Sequence, residues 1–345
     1  MTNRTILFGD LHGCWAELEQ LLDQLSVTST DRLVSVGDLV DRGPDSVRLW
    51  DFFRTRPNSL VLMGNHERKH VRGILSYSQE IVRLQFGDRY EAFRAWAAEL
   101  PYFLETPELV AVHGGFEDGV PLSEQREDVL SATTSGTKHL ERLYGDRYWP
   151  DVYSGQKPVV FGHHIVGDRA RVFGGRVYGL DTGACHGGWL TALVVPGFTL
   201  HRVKAARDYW REARSKWQVP VLAARPWASW RFPKIERELE ELRRARSPEV
   251  GRFRADLEAW LAGLDASVPS LVTRVNARAA ELSSRFADKA LKKAAASEPH
   301  PALVFSALAG SLDPATVRAT LTTPAALADA LRRHALTVPV DPTNR

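Results

Sequence analysis

Sulfur is scarce in this chain. Cys14 and Cys185 are the only cysteines among 345 residues, too few for a disulfide framework and compatible with a reducing cytoplasm. Long hydrophobic runs are missing as well: none approaches the roughly 20 apolar residues needed to cross a bilayer. Residues 1–4 lead straight toward a first strand, with no apolar signal segment. Neither a repeat of 20–50 residues nor a low-complexity tract stands out. Strong charge of one sign is absent, since the net charge is only +3. It is unevenly spread, however. Residues 205–345 hold 23 Lys+Arg against 16 Asp+Glu, and residues 1–204 hold 22 against 26. A basic tail can favour nucleic acid or acidic substrates, but its cations are interleaved with glutamates, as on a solvated helical surface.

What is present is ordinary globular material, 44% hydrophobic and 25% charged, enough for two domains or for one large domain with an extension. Up to about residue 204, short apolar strands alternate with amphipathic helices. Strands are expected at 5–8, 32–36, 59–63, 109–112, 158–161, 176–180, 190–195 and 198–203. Helices are expected at 16–25, 45–53 and over 67–100. The early part reads as βαβ units, in which ligands gather beyond the carboxyl ends of the strands. After about residue 204 the strand pattern stops. Helices are expected at 207–217, 235–246 and 249–263, a longer helix or pair at 269–296, and short helices beyond, two of them opened by Pro314 and Pro324. The expected division is therefore 1–204 and 205–345. Trp210, Trp217, Trp227, Trp230 and Trp260 read as core or docking anchors rather than base-stacking platforms.

Five motifs punctuate the first half, each after an apolar run: Gly9-Asp10-Leu11-His12-Gly13; Gly37-Asp38-Leu39-Val40-Asp41-Arg42-Gly43; Gly64-Asn65-His66-Glu67; His113-Gly114-Gly115; and Gly162-His163. Any one of them alone would usually be a turn. Together, and in this order, they are what a two-metal hydrolytic site needs: oxygen and nitrogen ligands delivered from strand ends by tight loops. Asp10 and His12 flank a single residue, so on an extended segment they point to the same side. They share one ion with Asp38, whose second oxygen bridges to another ion held by Asn65, His113 and His163. Mixed oxygen and nitrogen donors suit Mn, Fe or Zn better than Ca or Mg. Such ions would lie roughly 3.5–4 Å apart and hold a bridging hydroxide. His66, beside a ligand but pointing elsewhere, is placed to protonate a leaving oxygen, with Asp41 to fix its tautomer. The planar fork of Arg42 suits phosphate. Glu67 is expected only to cap or brace the following helix.

These motifs resemble the phosphoprotein phosphatase family of the calcineurin-like metallophosphoesterases, over about residues 5–204. The segment 179–184, followed by 187–193, is similar to the family's bacterial branch, which includes diadenosine tetraphosphatases, RNA end-healing phosphatases and phage-type protein phosphatases. The resemblance implies an α/β sandwich of two central sheets, here with a C-terminal α-helical extension, and a metal pair that is commonly Mn2+. It implies His66 as general acid backed by Asp41, and Arg42 as a phosphate-binding arginine. A second such arginine falls on Arg142 or Arg147, with Arg147 favoured by its nearness to the following strand. The family's Gly-His-Thr-Pro segment reads Gly162-His163-His164-Ile165 here, which leaves His163 as the ligand and His164 as a neighbour. His186 has either a substrate-facing or a local loop role.

The function this implies is a metal-dependent phosphoesterase, with a serine/threonine-type phosphoprotein phosphatase placed first. A dinucleoside polyphosphate hydrolase, or a phosphatase acting on nucleic-acid ends or caps, is the alternative. A non-catalytic module on the same fold is disfavoured, because the ligand set, His66 and Arg42 are all intact.

Overall fold

The computed structural model describes residues 4–344; residues 1–3, expected to lead into the first strand, and residue 345 lie outside them. The chain forms two compact units that meet at Trp217 and Gln218.

The first unit contains ten strands: β1 (Thr5–Phe8), β2 (Arg32–Ser35), β3 (Ser59–Val61), β4 (Phe103–Glu105), β5 (Val110–Val112), β6 (Val159–Phe161), β7 (Arg171–Phe173), β8 (Val177–Gly179), β9 (Trp189–Val195) and β10 (Thr199–Lys204). They form two five-stranded sheets, ordered β10-β9-β1-β2-β3 and β4-β5-β6-β8-β7. Three parallel neighbours lie within each sheet: β1, β2 and β3 in the first, β5, β6 and β8 in the second. β9 runs antiparallel between β1 and β10, as its short connection to β10 suggested.

Side-chain alternation explains the layering. Leu7, Val34 and Leu193 from one sheet meet Ala111 and Val160 from the other in a buried core between the sheets. Their alternates Ile6, Phe8, Leu33 and Val194 face the helices Trp15–Gln24 and Ser46–Thr55 through Leu18, Leu21, Leu49 and Phe53. On the far side Val112, Val159 and Phe161 pack with Leu130 and Trp149. The fold is thus the expected α/β sandwich with two central sheets flanked by helices. The edge strands β4 and β7, each three residues long, have no counterpart in the sequence reading, because a three-residue run carries almost no periodicity.

The unit boundary falls beyond the expected 204/205 division. Helix Tyr209–Lys216 belongs to the first unit: Tyr209 is buried, and its hydroxyl and the Ala206 N–H both donate to Glu17 Oε1, at 2.8 and 3.1 Å. Trp210 packs near Tyr77, with ring centroids 6.2 Å apart.

The second unit is helical throughout its described residues. Its spine is one 38-residue helix, Pro248–Arg285, where two segments were expected with a break near residues 263–269. The helix runs through Pro269, and its buried stripe continues unbroken from Leu264 and Val268 to Leu271 and Val275. Tertiary burial thus outweighs the lost amide and the ring's steric cost. Trp227 is fully buried and Trp260 nearly so in this unit's own core, with Trp230 half-buried against it. Trp227 and Trp260 are therefore core residues of the second unit and not stacking platforms. No helix among the described residues is long and apolar enough to cross a membrane.

Candidate dinuclear metal site

The three parallel strands of each sheet end at the same place, and every predicted ligand sits just past such an end. Asp10 and His12 follow β1, Asp38 follows β2 and Asn65 follows β3. His113 follows β5 and His163 follows β6. The loops are tight. His12, Asp38, Asp41, Arg42 and His163 all have positive φ, between 41° and 74°, a conformation non-glycine residues adopt only where surroundings impose it. Gly64 is required by close approach: a Cβ there would lie 2.2 Å from Asp38 Oδ1 and 2.5 Å from the Asp38 amide. Gly37 has φ +115°, and a Cβ on it would meet the His113 ring at 2.6 Å.

Asp38 stands at the centre. Its Oδ2 lies 3.5 Å from His12 Nε2, and its Oδ1 lies 3.4 Å from His113 Nε2. Asp10 Oδ2 is 3.9 Å from His12 Nε2. Asn65 Oδ1 lies 3.1 Å from His113 Nε2 and 3.0 Å from His163 Nδ1. The structure therefore gathers all six expected ligands around one carboxylate whose two oxygens face opposite groups. The group formed by His12 and Asp38 also has His66 within 4.8 Å.

These residues fit a pair of divalent cations. His12 Nδ1 donates to Val40 O at 2.9 Å and His113 Nδ1 to Val36 O at 3.1 Å, which turns an Nε2 lone pair inward in each ring. Burial holds His12, His113 and His163 below the usual imidazole range, His163 at about 3, so these rings are neutral donors. Burial opposes the Asp38 charge, and proximity to His113, His66 and His12 favours it, each in proportion to the positive charge those rings carry, so carboxylate and imidazoles titrate as one buried cluster. Asp10 is pushed up by burial, then by Asp181 and Asp38, the signature of buried negative charge without a compensating cation. Two cations bound here would polarise a phosphoryl oxygen and acidify water.

The remaining predicted residues surround this centre. His66 Nδ1 lies 2.5 Å from Asp41 Oδ2, and its Nε2 faces inward, 3.8 Å from Asp38 Oδ2. Arg42 reaches both inward nitrogens, with one guanidinium nitrogen 3.0 Å from His12 Nε2 and the other 3.1 Å from His66 Nε2. Glu67 does more than cap its helix. Its carboxylate accepts from the amides of Asp38, Leu39, Val40 and Gly64, tying the second and third motif loops together. Burial and the nearby Asp38 push it up to about 8 against those four donors.

Arg147 and the candidate ligand His163 line one cavity of about 580 Å³, together with His164, which packs on Tyr148 at 5.3 Å. Arg142 does not line it; its Nε donates to Lys138 O on the same helix. His186 lies on an exposed loop, where partial desolvation on its inner side and the nearby Arg42 charge hold it below the usual imidazole range.

Sequence reasoning missed three neighbours. His70 Nε2 donates to Asp41 Oδ1 at 3.0 Å, and its Nδ1 lies 2.9 Å from the Tyr90 hydroxyl. Its place four residues after His66, on the same helical face, was the available signal. Gln79 donates its side-chain amide to Asp41 Oδ2, and nothing in the sequence announced it. Asp181, just past β8, accepts from the Gly183 amide at 2.9 Å, lies close enough to Asp10 to raise it, and is itself pushed up to about 6 by burial.

Residues 4–181 match the profile of the family described as calcineurin-like phosphoesterase. The chain belongs to this family. Among curated members, the bis(5'-nucleosyl)-tetraphosphatase PrpE [asymmetrical] of Bacillus cereus is 27% identical over 227 residues, covering 55% of this chain and 89% of the relative. The enzyme of the same name from Bacillus mycoides matches with the same identity and coverage. The crystal structure of a candidate diadenosine tetraphosphatase superposes with a TM-score of 0.50 and 28% identity, covering 59% of this chain and 95% of that one. As a member of this phosphoesterase family, the chain is a hydrolase of phosphate esters or anhydrides.

Proposed function

We propose that this protein hydrolyses dinucleoside polyphosphates asymmetrically, using two divalent cations, with Mn2+ as the metal. The observation that carries the choice is the cavity against His163. Its volume of about 580 Å³ and its lining of Val129, Leu140, Tyr148 and Trp149 suit a nucleoside. A phosphoserine side chain would leave most of that apolar surface unused. The relatives named as tetraphosphatases support the same choice, which moves the dinucleotide ahead of the phosphoprotein reading that the motifs alone favoured.

In this reading a water oxygen bonds to phosphorus as the anhydride P–O bond breaks. Arg42 and Arg147 bind the phosphoryl oxygens, and His66 gives a proton from Nε2 to the leaving phosphate oxygen. Asp41 keeps the other ring nitrogen protonated.

The test is an Mn2+-supplemented panel of diadenosine tetraphosphate, a phosphothreonine peptide, capped RNA and p-nitrophenyl phosphate. Diadenosine tetraphosphate should give ATP and AMP, with a kcat/KM at least tenfold above the peptide's. The reverse order, or ADP as the only product, overturns the proposal.

A further inference from the structure

A second cleft, of about 560 Å³, opens from the same centre in another direction. It shares His163, Ala132, Thr137 and Glu141 with the first cavity and reaches the ligand Asn65. Its character is different: Arg68, Lys69, Arg72 and Lys138 line it, and Glu141 is its one acid. Arg68 is already engaged, donating to Ser131 Oγ at 3.1 Å and lying 3.7 Å from Glu127. Among the described residues, Lys69, Arg72 and Lys138 have no ion-pair partner. Lys69 and Arg72 are three residues apart at the end of one helix, a like-charge placement that mildly costs stability. The 11-residue helix Thr134–Tyr144 begins at this cleft, with its first hydroxyl, Thr134, in the lining.

We propose that this cleft binds a linear chain of phosphates, held by Lys69, Arg72 and Lys138. The inference deepens the dinucleoside polyphosphate reading and rests on it. A chain of phosphates carries closely spaced negative charges, so it relieves three uncompensated cations at once and gains from the positive end of the helix. A molecule with a nucleoside at one end and a polyphosphate beyond it would fill both lobes. Its scissile phosphorus would then lie at their junction, beside His163. A monoester reaches only the junction, so the cleft selects for phosphate number.

Inorganic tripolyphosphate and orthophosphate are compared as competitive inhibitors of p-nitrophenyl phosphate hydrolysis by the full chain, with free Mn2+ held constant by a metal buffer. Wild type should bind tripolyphosphate at least tenfold more tightly than orthophosphate. The triple variant Lys69→Ala/Arg72→Ala/Lys138→Ala should lose at least tenfold of that preference. Lys69→Arg/Lys138→Arg, which keeps the charge, should retain it. The three side chains are at least partly exposed, and the single Ala variants repeat the test should the triple variant fold poorly.

An unchanged preference in the triple variant overturns the cleft assignment. Diadenosine tetraphosphate turnover separates this from the parent reading. Wild type that cuts it, with a kcat/KM relative to p-nitrophenyl phosphate that the triple variant preserves, keeps the dinucleotide reading and removes the cleft. Wild type that does not cut it, yet shows a cation-dependent tripolyphosphate preference, keeps the cleft and removes the dinucleotide.

Discussion

Asp41 and His66 are joined at 2.5 Å, carboxylate to ring Nδ1, and the other Asp41 oxygen is held by His70 at 3.0 Å. The carboxylate is fully buried, which opposes its charge, but the imidazoles of His70 and His66 and their hydrogen bonds hold it well below the usual range. His66 is thereby fixed with Nε2 facing Asp38 and the other candidate metal ligands. His66→Asn should lower turnover about 10²–10⁴-fold for an alkyl leaving group while metal content is retained. Asp41→Asn should cost about 10–100-fold through misorientation, and His70→Gln less, because one partner of Asp41 remains. All three losses should shrink for p-nitrophenyl phosphate, whose leaving oxygen needs little protonation. Equal losses for good and poor leaving groups would remove the acid role.

Asp38 makes the sharpest metal prediction. Among the described residues it is the one carboxylate whose two oxygens face both candidate ligand groups, at 3.5 Å from His12 and 3.4 Å from His113. Asp38→Asn removes the shared charge, so elemental analysis should find both metals reduced to well under half occupancy. Asn65→Ala should spare the ion near His12. Full turnover in protein shown to be metal-free would sink the dinuclear mechanism altogether.

Most of this centre was legible because each ligand is tied to a strand end and a glycine-bearing turn, both of which are local signals. That Asp10, His12, Asp38, Asn65, His113 and His163 would come together could be expected without coordinates, and the strands β1, β2, β5 and β6 were placed nearly to the residue. What stayed hidden is non-local. Gln79 reaches Asp41 from a helix 38 residues downstream, and no spacing rule encodes that. Pro269 misled for the opposite reason. Its local signal is strong, but the buried stripe from Leu264 to Leu271 overrides it. The unit boundary lies beyond the expected one because Tyr209 joins the first unit's core and bonds Glu17, 192 residues away in sequence, which no local pattern encodes.

Asp181 supplies a pH test that needs no substrate. Its folded-state pKa of about 6 lies above the ordinary 3.8, so the protonated form is favoured in the fold. Below about pH 4 this group costs metal-free protein nothing. As pH rises through 6, a buried carboxylate must ionise, and roughly 2–3 kcal/mol is lost. Metal-stripped protein should therefore melt lower at pH 7 than Asp181→Asn, by several degrees, with the gap closing at pH 4.5. Mn2+ should close it at pH 7 too, by supplying the missing charge. A gap that is the same at both pH values and unmoved by Mn2+ would argue that Asp181 is indifferent to the ions.

The last prediction separates two truncations that a sequence-based boundary would treat as equivalent. Each unit has its own buried core, and the division lies after Trp217. A chain ending at Trp217 should fold, bind metal and hydrolyse p-nitrophenyl phosphate. A chain ending at Lys204 loses Tyr209, which is 6% exposed, and Ala206, the two donors to Glu17 Oε1. Glu17 is itself 1% exposed, and its other oxygen has no hydrogen-bond partner among the described residues, so the cut strands a buried carboxylate. Losing the Tyr209 side chain should cost about 3–5 kcal/mol on core-substitution precedent, and the unpaired carboxylate more still. Glu17→Gln in the shorter chain should recover part of that loss, since a neutral amide is cheaper to bury. Equal melting temperatures for the two truncated chains would show that helix Tyr209–Lys216 is not part of the catalytic unit.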